Sequence, residues 1–163
     1  MRPLFALIAL ITLSQPALAQ AWQPYDNERF GFRLSVPPGF DLAAAPPATG
    51  DGVTLANKQG TQRLLAWGGH VTEADFSAEA EARMASDAGE GWAITYRAAT
   101  PGWASWSGSR NGIVLYTRMI ALCAGSQFAA FQLTYPQRDI AAMNRVVERL
   151  AGGLAGTGQS LSC

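Results

Sequence analysis

Residues 103–136 read WASWSGSRNGIVLYTRMIALCAGSQFAAFQLTYP, and this stretch decides the fold. It contains three runs that have the length and composition of β-strands, at residues 103–107, 113–122 and 128–135. Asn111-Gly112 separates the first two runs, and this dipeptide is the strongest short signal for a tight hairpin. Residues 124–126 form a second turn, and Pro136 ends the last run. The stretch therefore predicts three antiparallel strands, and the long apolar run at residues 113–122 is typical of a central strand.

More strands are predicted before this stretch. Residues 29–36 alternate between apolar and polar side chains, which indicates a half-buried strand whose inward residues are Phe30, Phe32, Leu34 and Val36. Residues 53–55 and 63–71 form two more strands around a turn at 57–60, and residues 92–97 alternate again.

Two segments have helical periodicity. Residues 77–88 are rich in Ala and Glu, and Glu79 and Arg83 form an i,i+4 pair of the favourable orientation. A closing helix is predicted at residues 139–151, with a buried stripe of Ile140, Met143, Val147 and Leu150.

The predicted element order is β-β-β-α-β-β-β-β-α with short connections. This order predicts an α+β domain: a central antiparallel sheet of about six or seven strands covered by two helices. We expect one domain over residues 20–151 and a Gly-rich tail over residues 152–163, because no linker separates the elements.

Composition excludes several classes of protein. The chain has 163 residues, with 12 Lys and Arg against 12 Asp and Glu, and this zero net charge argues against nucleic-acid binding. Two cysteines and one histidine cannot supply the four nitrogen or sulfur ligands of a structural zinc site, and no other metal motif is present. No P-loop or dinucleotide-binding motif occurs, so we expect no cofactor. No run of 18 apolar residues follows the N-terminal segment, so we expect no membrane span in the mature protein.

The first 19 residues have the pattern of a signal peptide. Arg2 supplies a positive start, an apolar run follows, and Ala17-Leu18-Ala19 fits the small-x-small cleavage rule. We expect cleavage after Ala19 and a periplasmic or secreted mature protein.

The two cysteines are interpreted in the light of this export. In an oxidising compartment an even cysteine count favours a disulfide, here between Cys123 and Cys163. Two unpaired thiols, or intermolecular pairing through the terminal cysteine, remain the alternatives.

Several segments resemble a group of small exported Gram-negative bacterial proteins of unknown function. These segments are residues 27–32 (NERFGF) with Val36-Pro37, residues 49–52 (TGDG), 106–108 (WSG), 123–125 (CAG) and 133–136 (LTYP). The aromatic–Gly–aromatic strand followed by a proline turn, with the last helix packing back, is also similar to the PsbP-like fold, named for an extrinsic photosystem II subunit. The resemblance spans about residues 25–150 and implies an antiparallel sheet between helices and an accessory or binding role. It does not carry over photosystem binding.

One histidine limits the catalytic alternatives. His70 lies at the end of a strand and could act as a general base only with a nucleophile in reach, such as Ser105, Ser107 or Ser109. No Gly-x-Ser-x-Gly motif surrounds these serines, so a periplasmic hydrolase is the alternative hypothesis and not the main one.

The tryptophans suggest a binding surface. Trp103 and Trp106 are three residues apart, so on one strand they point to opposite faces, one into the core and one outward. An exposed tryptophan near Arg110 and Asn111 could stack on a sugar or anchor a partner protein. We therefore expect an exported accessory or binding module without catalysis, whose ligand is an envelope protein, a peptide or a glycan. The candidate binding residues are Trp103, Trp106, Arg110 and Asn111.

Overall fold

The strands of residues 103–136 lie in a seven-stranded antiparallel sheet, as the sequence predicts. The computed structural model describes residues 21–159 and Cys163, so the predicted signal peptide, residues 1–19, lies outside the described residues. The sheet strands are β3 (Phe40–Leu42), β4 (Gly52–Asn57), β5 (Arg63–His70), β6 (Ala93–Thr100), β7 (Trp103–Arg110), β8 (Ile113–Leu122) and β9 (Gln127–Pro136). Their spatial order is β3-β4-β5-β9-β8-β7-β6. Asn111 and Gly112 both have positive φ, at 51° and 76°, which is the geometry of the predicted hairpin turn.

The two helices lie on opposite faces of this sheet. Helix α1 (Phe76–Gly89) packs on β6 and β7. Helix α2 (Ile140–Gly153) packs on β8, β9 and a small second sheet. The sheet therefore has an α1 face and an α2 face, each with its own hydrophobic cluster. The predicted α+β class is confirmed. Among the described residues neither helix has the length and apolarity to cross a membrane.

The first predicted strand does not lie in the main sheet. Residues 29–31 form a turn, and only Phe32–Val36 (β2) is extended, paired with β1 (Gln23–Asn27) and β10 (Ala155–Gly156) in a separate three-stranded sheet. The Asn27 side chain fixes this turn by accepting a hydrogen bond from the Phe30 backbone N–H at 2.9 Å. The predicted apolar side chains Phe32, Leu34 and Val36 are buried, but against α2 and the α2 face.

The C-terminal region also differs in detail from the prediction. Helix α2 extends through Gly152 and Gly153, and Ala155–Gly156 pairs with Arg33 and Phe32, so part of the predicted tail packs on the domain. In the predicted stripe Met143 and Leu150 are buried, but Ile140 is 38% exposed because it begins the helix directly after a 3-10 turn. Cys123 and Cys163 lie at disulfide distance, with their Cα atoms 5.5 Å apart.

Candidate functional site

Trp106 belongs to the core. It lies on the α1 face, is 2% exposed, and its indole N–H donates to Asp87 Oδ2 at 2.6 Å. Burial raises the pKa of Asp87, and the hydrogen bond from Trp106 opposes that rise. The prediction that one of the two tryptophans is in the core is satisfied by Trp106, so its candidacy as a binding residue is corrected.

Arg110 and Asn111 lie far from Trp103. Arg110 ends β7, seven residues on from Trp103 at its start, which is a distance of about 23 Å along a strand, and Asn111 follows in the turn. The Arg110 guanidinium lies 4.5 Å from the Trp92 ring centroid and donates to the Glu90 carbonyl at 2.5 Å. The structure thus does not bring the four predicted binding residues together.

Trp103 has a different partner, which the sequence interpretation missed. The Arg118 guanidinium lies 4.0 Å from the Trp103 ring centroid, a cation–π contact. Arg118 Nη1 also donates to Ser105 Oγ at 3.1 Å. Both contacts follow from the hairpin register, which pairs Trp103 with Ile120 and Ser105 with Arg118. The sequence therefore contains the information for both contacts, because a two-residue turn at Asn111-Gly112 fixes that register.

These residues lie on the α2 face, where β6, β7 and β8 carry a surface to one side of helix α2. The registers place Tyr96, Ser107 and Tyr116 in one cross-strand row, Ala98, Ser105 and Arg118 in the next, and Thr100, Trp103 and Ile120 in a third. We call this surface the open patch and define it by Tyr96, Ala98, Trp103, Ser105, Tyr116 and Arg118. Tyr96 is 49% exposed, whereas Trp103, Tyr116 and Arg118 are half-buried. In the middle row Ser105 is 2% exposed, so Ala98 and Arg118 are the members of that row that reach the surface.

The charge of Arg118 is not neutralised within the protein. It forms no ion pair with any described residue, and all twelve acidic residues of the sequence lie in the described ranges. Its Nε is buried and has no hydrogen-bond partner among the described residues. Burial lowers the pKa of Arg118, and the nearby Tyr116 and Tyr96 hydroxyl groups oppose that shift. The open patch therefore presents a partly desolvated cation flanked by aromatic rings.

On the α1 face another arginine lies over an aromatic ring, and the charge of this arginine is paired with a carboxylate. The Arg83 guanidinium lies 4.3 Å from the Phe128 ring centroid and 2.7 Å from Glu79 Oε1. Glu79 is 2% exposed and also accepts hydrogen bonds from the Thr72 and Glu73 backbone N–H groups, at 2.8 and 3.2 Å. Burial raises the pKa of Glu79, but these hydrogen bonds outweigh it, and the pKa lies below its ordinary value. This cluster ties helix α1 to the end of β5.

The hydrolase alternative is not supported by this geometry. His70 on β5 and the serines on β7 are separated by β9 and β8, or three strand spacings and about 14 Å. The His70 ring packs edge-on against Phe30 at 5.5 Å. Ser105 is 2% exposed and its hydroxyl accepts from Arg118. Proton transfer between these groups needs contact within about 3 Å.

A groove and the acidic side chains are the other places where a ligand or a metal ion could bind. A groove of about 550 Å³ lies between α1 and the β6–β7 end of the sheet, where Phe76, Met84 and Trp106 contribute apolar surface. Its charged lining residues are Glu81 and Arg97, one of each sign. Over residues 21–159 and Cys163, no three His, Cys, Asp or Glu side chains are grouped to hold a metal ion.

Comparison with known proteins gives matches at the level of structure. No protein-family model matches the chain, and no curated protein sequence matches it. The solution structure of PsbP from the cyanobacterium Synechocystis superposes with a TM-score of 0.60 at 12% identity, covering 90% of this chain and 98% of that one. The crystal structure of the Saccharomyces cerevisiae Ran-binding protein Mog1p superposes with a TM-score of 0.63 at 9% identity, covering 89% of this chain and 100% of that one.

A third structure, of a Mog1 point mutant, gives a TM-score of 0.58 at 9% identity over 84% of this chain and 96% of its own. At such identities the likeness is one of fold. The chain has a fold similar to those of PsbP and Mog1, and the likeness to PsbP supports the PsbP-like fold that the resemblance in the sequence implied.

Proposed function

We propose that this protein is an exported binding module of the cell envelope, without intrinsic catalysis, that holds a protein partner on the open patch. The observation that carries the proposal is Arg118, a half-buried cation that lies over Trp103 on a sheet face and has no acidic partner among the described residues. A desolvated charge costs free energy unless it is paired, and a binding partner can supply the pair. Aromatic residues and arginine are also the side chains enriched at the centres of interfaces.

The choice of a protein as partner is supported by the structural comparison. Mog1p, which shares this fold, is described as a Ran-binding protein, so the fold can serve as a platform for another protein. One face of the Trp103 ring is already covered by Arg118, which leaves less of it to stack on a sugar. We therefore favour a protein or peptide over the glycan.

Export is supported by the sequence of residues 1–19 and by the cysteines. A positive start, an apolar run and Ala17-Leu18-Ala19 together have the order of a secretory leader. Cys123 and Cys163, at disulfide distance, suit an oxidising compartment. Cleavage after Ala19 would leave a domain over residues 20–151 and a C-terminal segment whose last residue is held by that pair.

Site-specific photo-crosslinking in cells tests the binding role. A photo-reactive amino acid replaces Tyr96 in the open patch, and in a matched variant it replaces Leu42, which is 60% exposed on β3 at the opposite edge of the same sheet. We expect a discrete crosslinked protein from position 96 and not from position 42. The crosslink should decrease when Arg118→Gln is added. Equal crosslinking from both positions would contradict the proposal.

Mass spectrometry of the purified protein tests export. We expect an N-terminus at Gln20, hence 163 − 19 = 144 residues, and a mass lower by two hydrogen atoms without reductant than with it. Recovery of the whole chain with two free thiols from the cytoplasm would contradict export.

A further inference from the structure

We propose that Arg118 is the docking point for side-chain carboxylates of an acidic peptide segment, which lies across the open patch next to strand β6. This inference rests on the proposed function and specifies the chemistry of the partner.

The Arg118 guanidinium is held in place and still has unused hydrogen-bond donors. Of its five N–H donors, one is used by Ser105, and no other hydrogen bond from this side chain to a described residue is found. The Trp103 ring, 4.0 Å away, fixes the plane of the group. An arginine held in this way has lost part of its rotamer freedom before the ligand arrives, so binding costs less entropy.

A carboxylate has the charge and the shape that match the guanidinium of Arg118. The guanidinium plane matches two parallel hydrogen bonds to the two oxygens of a carboxylate, and such charged pairs are stronger than neutral ones. In the cross-strand row of Arg118 the residue on β6 is Ala98, whose side chain is small and partly exposed. Tyr96 and Tyr116 lie in the neighbouring row, and their hydroxyl groups can donate to a carboxylate.

The edge of strand β6 favours a peptide over other acidic ligands. Strand β6 pairs with β7 on one side only in the part of the chain that the structure describes, so its other edge presents backbone N–H and C=O groups. An extended peptide can pair with such an edge and direct alternate side chains onto the open patch. A polysaccharide or a phosphate lacks the peptide backbone that pairs with such a strand edge. The open patch as defined also offers a single cation, which matches one carboxylate at a time.

Nuclear magnetic resonance tests the inference on the mature protein. The Arg118 Nε–Hε signal is assigned by its absence in Arg118→Gln, and it is followed during titration with an acetylated, amidated tetraglutamate peptide. We expect saturable shifts of this signal and of the Tyr96 and Trp103 signals. In Arg118→Gln the affinity should fall roughly tenfold or more, because the charged pair is lost.

Three controls accompany the titration. The matched tetraglutamine peptide should give no saturable shift. Arg149→Gln should bind tetraglutamate like the natural protein, since Arg149 also stacks on a tryptophan, Trp22 at 4.3 Å, but lies exposed on α2. Unchanged backbone spectra away from the patch show that Arg118→Gln remains folded.

The inference is overturned if tetraglutamate and tetraglutamine bind alike, or if Arg118→Gln binds tetraglutamate as the natural protein does. It is also overturned if inorganic phosphate or a polygalacturonate oligosaccharide shifts the Arg118 signal at concentrations where tetraglutamate does not. Its failure is separable from that of the proposed function: a partner crosslinked from position 96 without tetraglutamate binding rejects only the carboxylate chemistry. Tetraglutamate binding without a crosslinked partner rejects the proposed function.

Discussion

Two arginines of this protein lie over aromatic rings on opposite faces of the same sheet, and they differ in what neutralises them. Arg83 lies over Phe128 and is paired with the buried Glu79, which also binds two backbone N–H groups. Arg118 lies over Trp103 and has a serine hydroxyl as its hydrogen-bond acceptor, with no carboxylate among the described residues.

The difference separates a structural use of arginine from a binding use. The free energy of the Arg83 cluster is already realised in the folded protein, because each charge there has a partner. The charge of Arg118 is partly desolvated but unpaired, so a carboxylate from outside can add free energy that the fold alone does not supply. Substitutions in the two regions should therefore have opposite consequences for stability and for binding.

The largest contrast in stability is expected between substitutions of the two aromatic rings, Phe128 and Trp103. Phe128 is 1% exposed, so Phe128→Ala should lower the free energy of unfolding by about 3–5 kcal/mol. Trp103 is half-buried on the surface, so Trp103→Ala should cost about 1 kcal/mol. Urea denaturation of both variants checks this order. A Trp103→Ala variant as unstable as Phe128→Ala would make the open patch a part of the core.

A smaller effect is expected from the carboxylate of the paired cluster. Glu79→Gln should lower the free energy of unfolding at neutral pH by about 2 kcal/mol, because charged hydrogen bonds become neutral ones. The pKa of Glu79 is lower in the folded protein than its ordinary value of 4.5, so its ionised form stabilises the fold above that pH. This stability is lost as the pH falls through the folded pKa. Urea denaturation from pH 7 to pH 3 should show this loss in the natural protein and a smaller one in Glu79→Gln.

The smallest contrast in stability is expected between substitutions of the two arginines themselves. Arg83→Gln leaves a buried carboxylate without its cation and should cost about 1–2 kcal/mol. Arg118→Gln removes an unpaired charge and should change the free energy of unfolding by less than about 0.5 kcal/mol. Thermal and urea unfolding of the two variants measured side by side compare them. Equal losses would show that Arg118 has a structural role like that of Arg83.

Much of the fold follows from local sequence. The alternation and the Asn111-Gly112 turn identify β7 and β8 together with their register, since a two-residue turn leaves one pairing. Strand β2 was predicted from its alternation, but alternation gives the buried face and not the neighbouring strand, so its place in a separate sheet was missed. Ala155–Gly156 has no side-chain pattern at all, and its pairing with β2 is set by where helix α2 ends.

The candidate site was predicted only in part, for a reason of the same kind. The sequence indicates that one of Trp103 and Trp106 is exposed, and it associates that tryptophan with Arg110 and Asn111, which are close to Trp103 in sequence and distant from it in space. Arg118 was overlooked because a single cation in an apolar strand has no motif. Whether Arg118 can bind a ligand depends on its cross-strand neighbours and on the acidic groups near it, and these are properties of the tertiary structure.

The central claim is that the open patch binds a partner through Arg118, and one measurement tests it most directly. The crosslink yield from a photo-reactive residue at position 96 is compared between Arg118→Gln and Arg83→Gln, in cells grown at a temperature where both variants are folded. The account predicts that Arg118→Gln loses the crosslink although its stability is intact, whereas Arg83→Gln retains it although its stability is reduced. A crosslink that survives in Arg118→Gln at the yield of the natural protein would contradict the account.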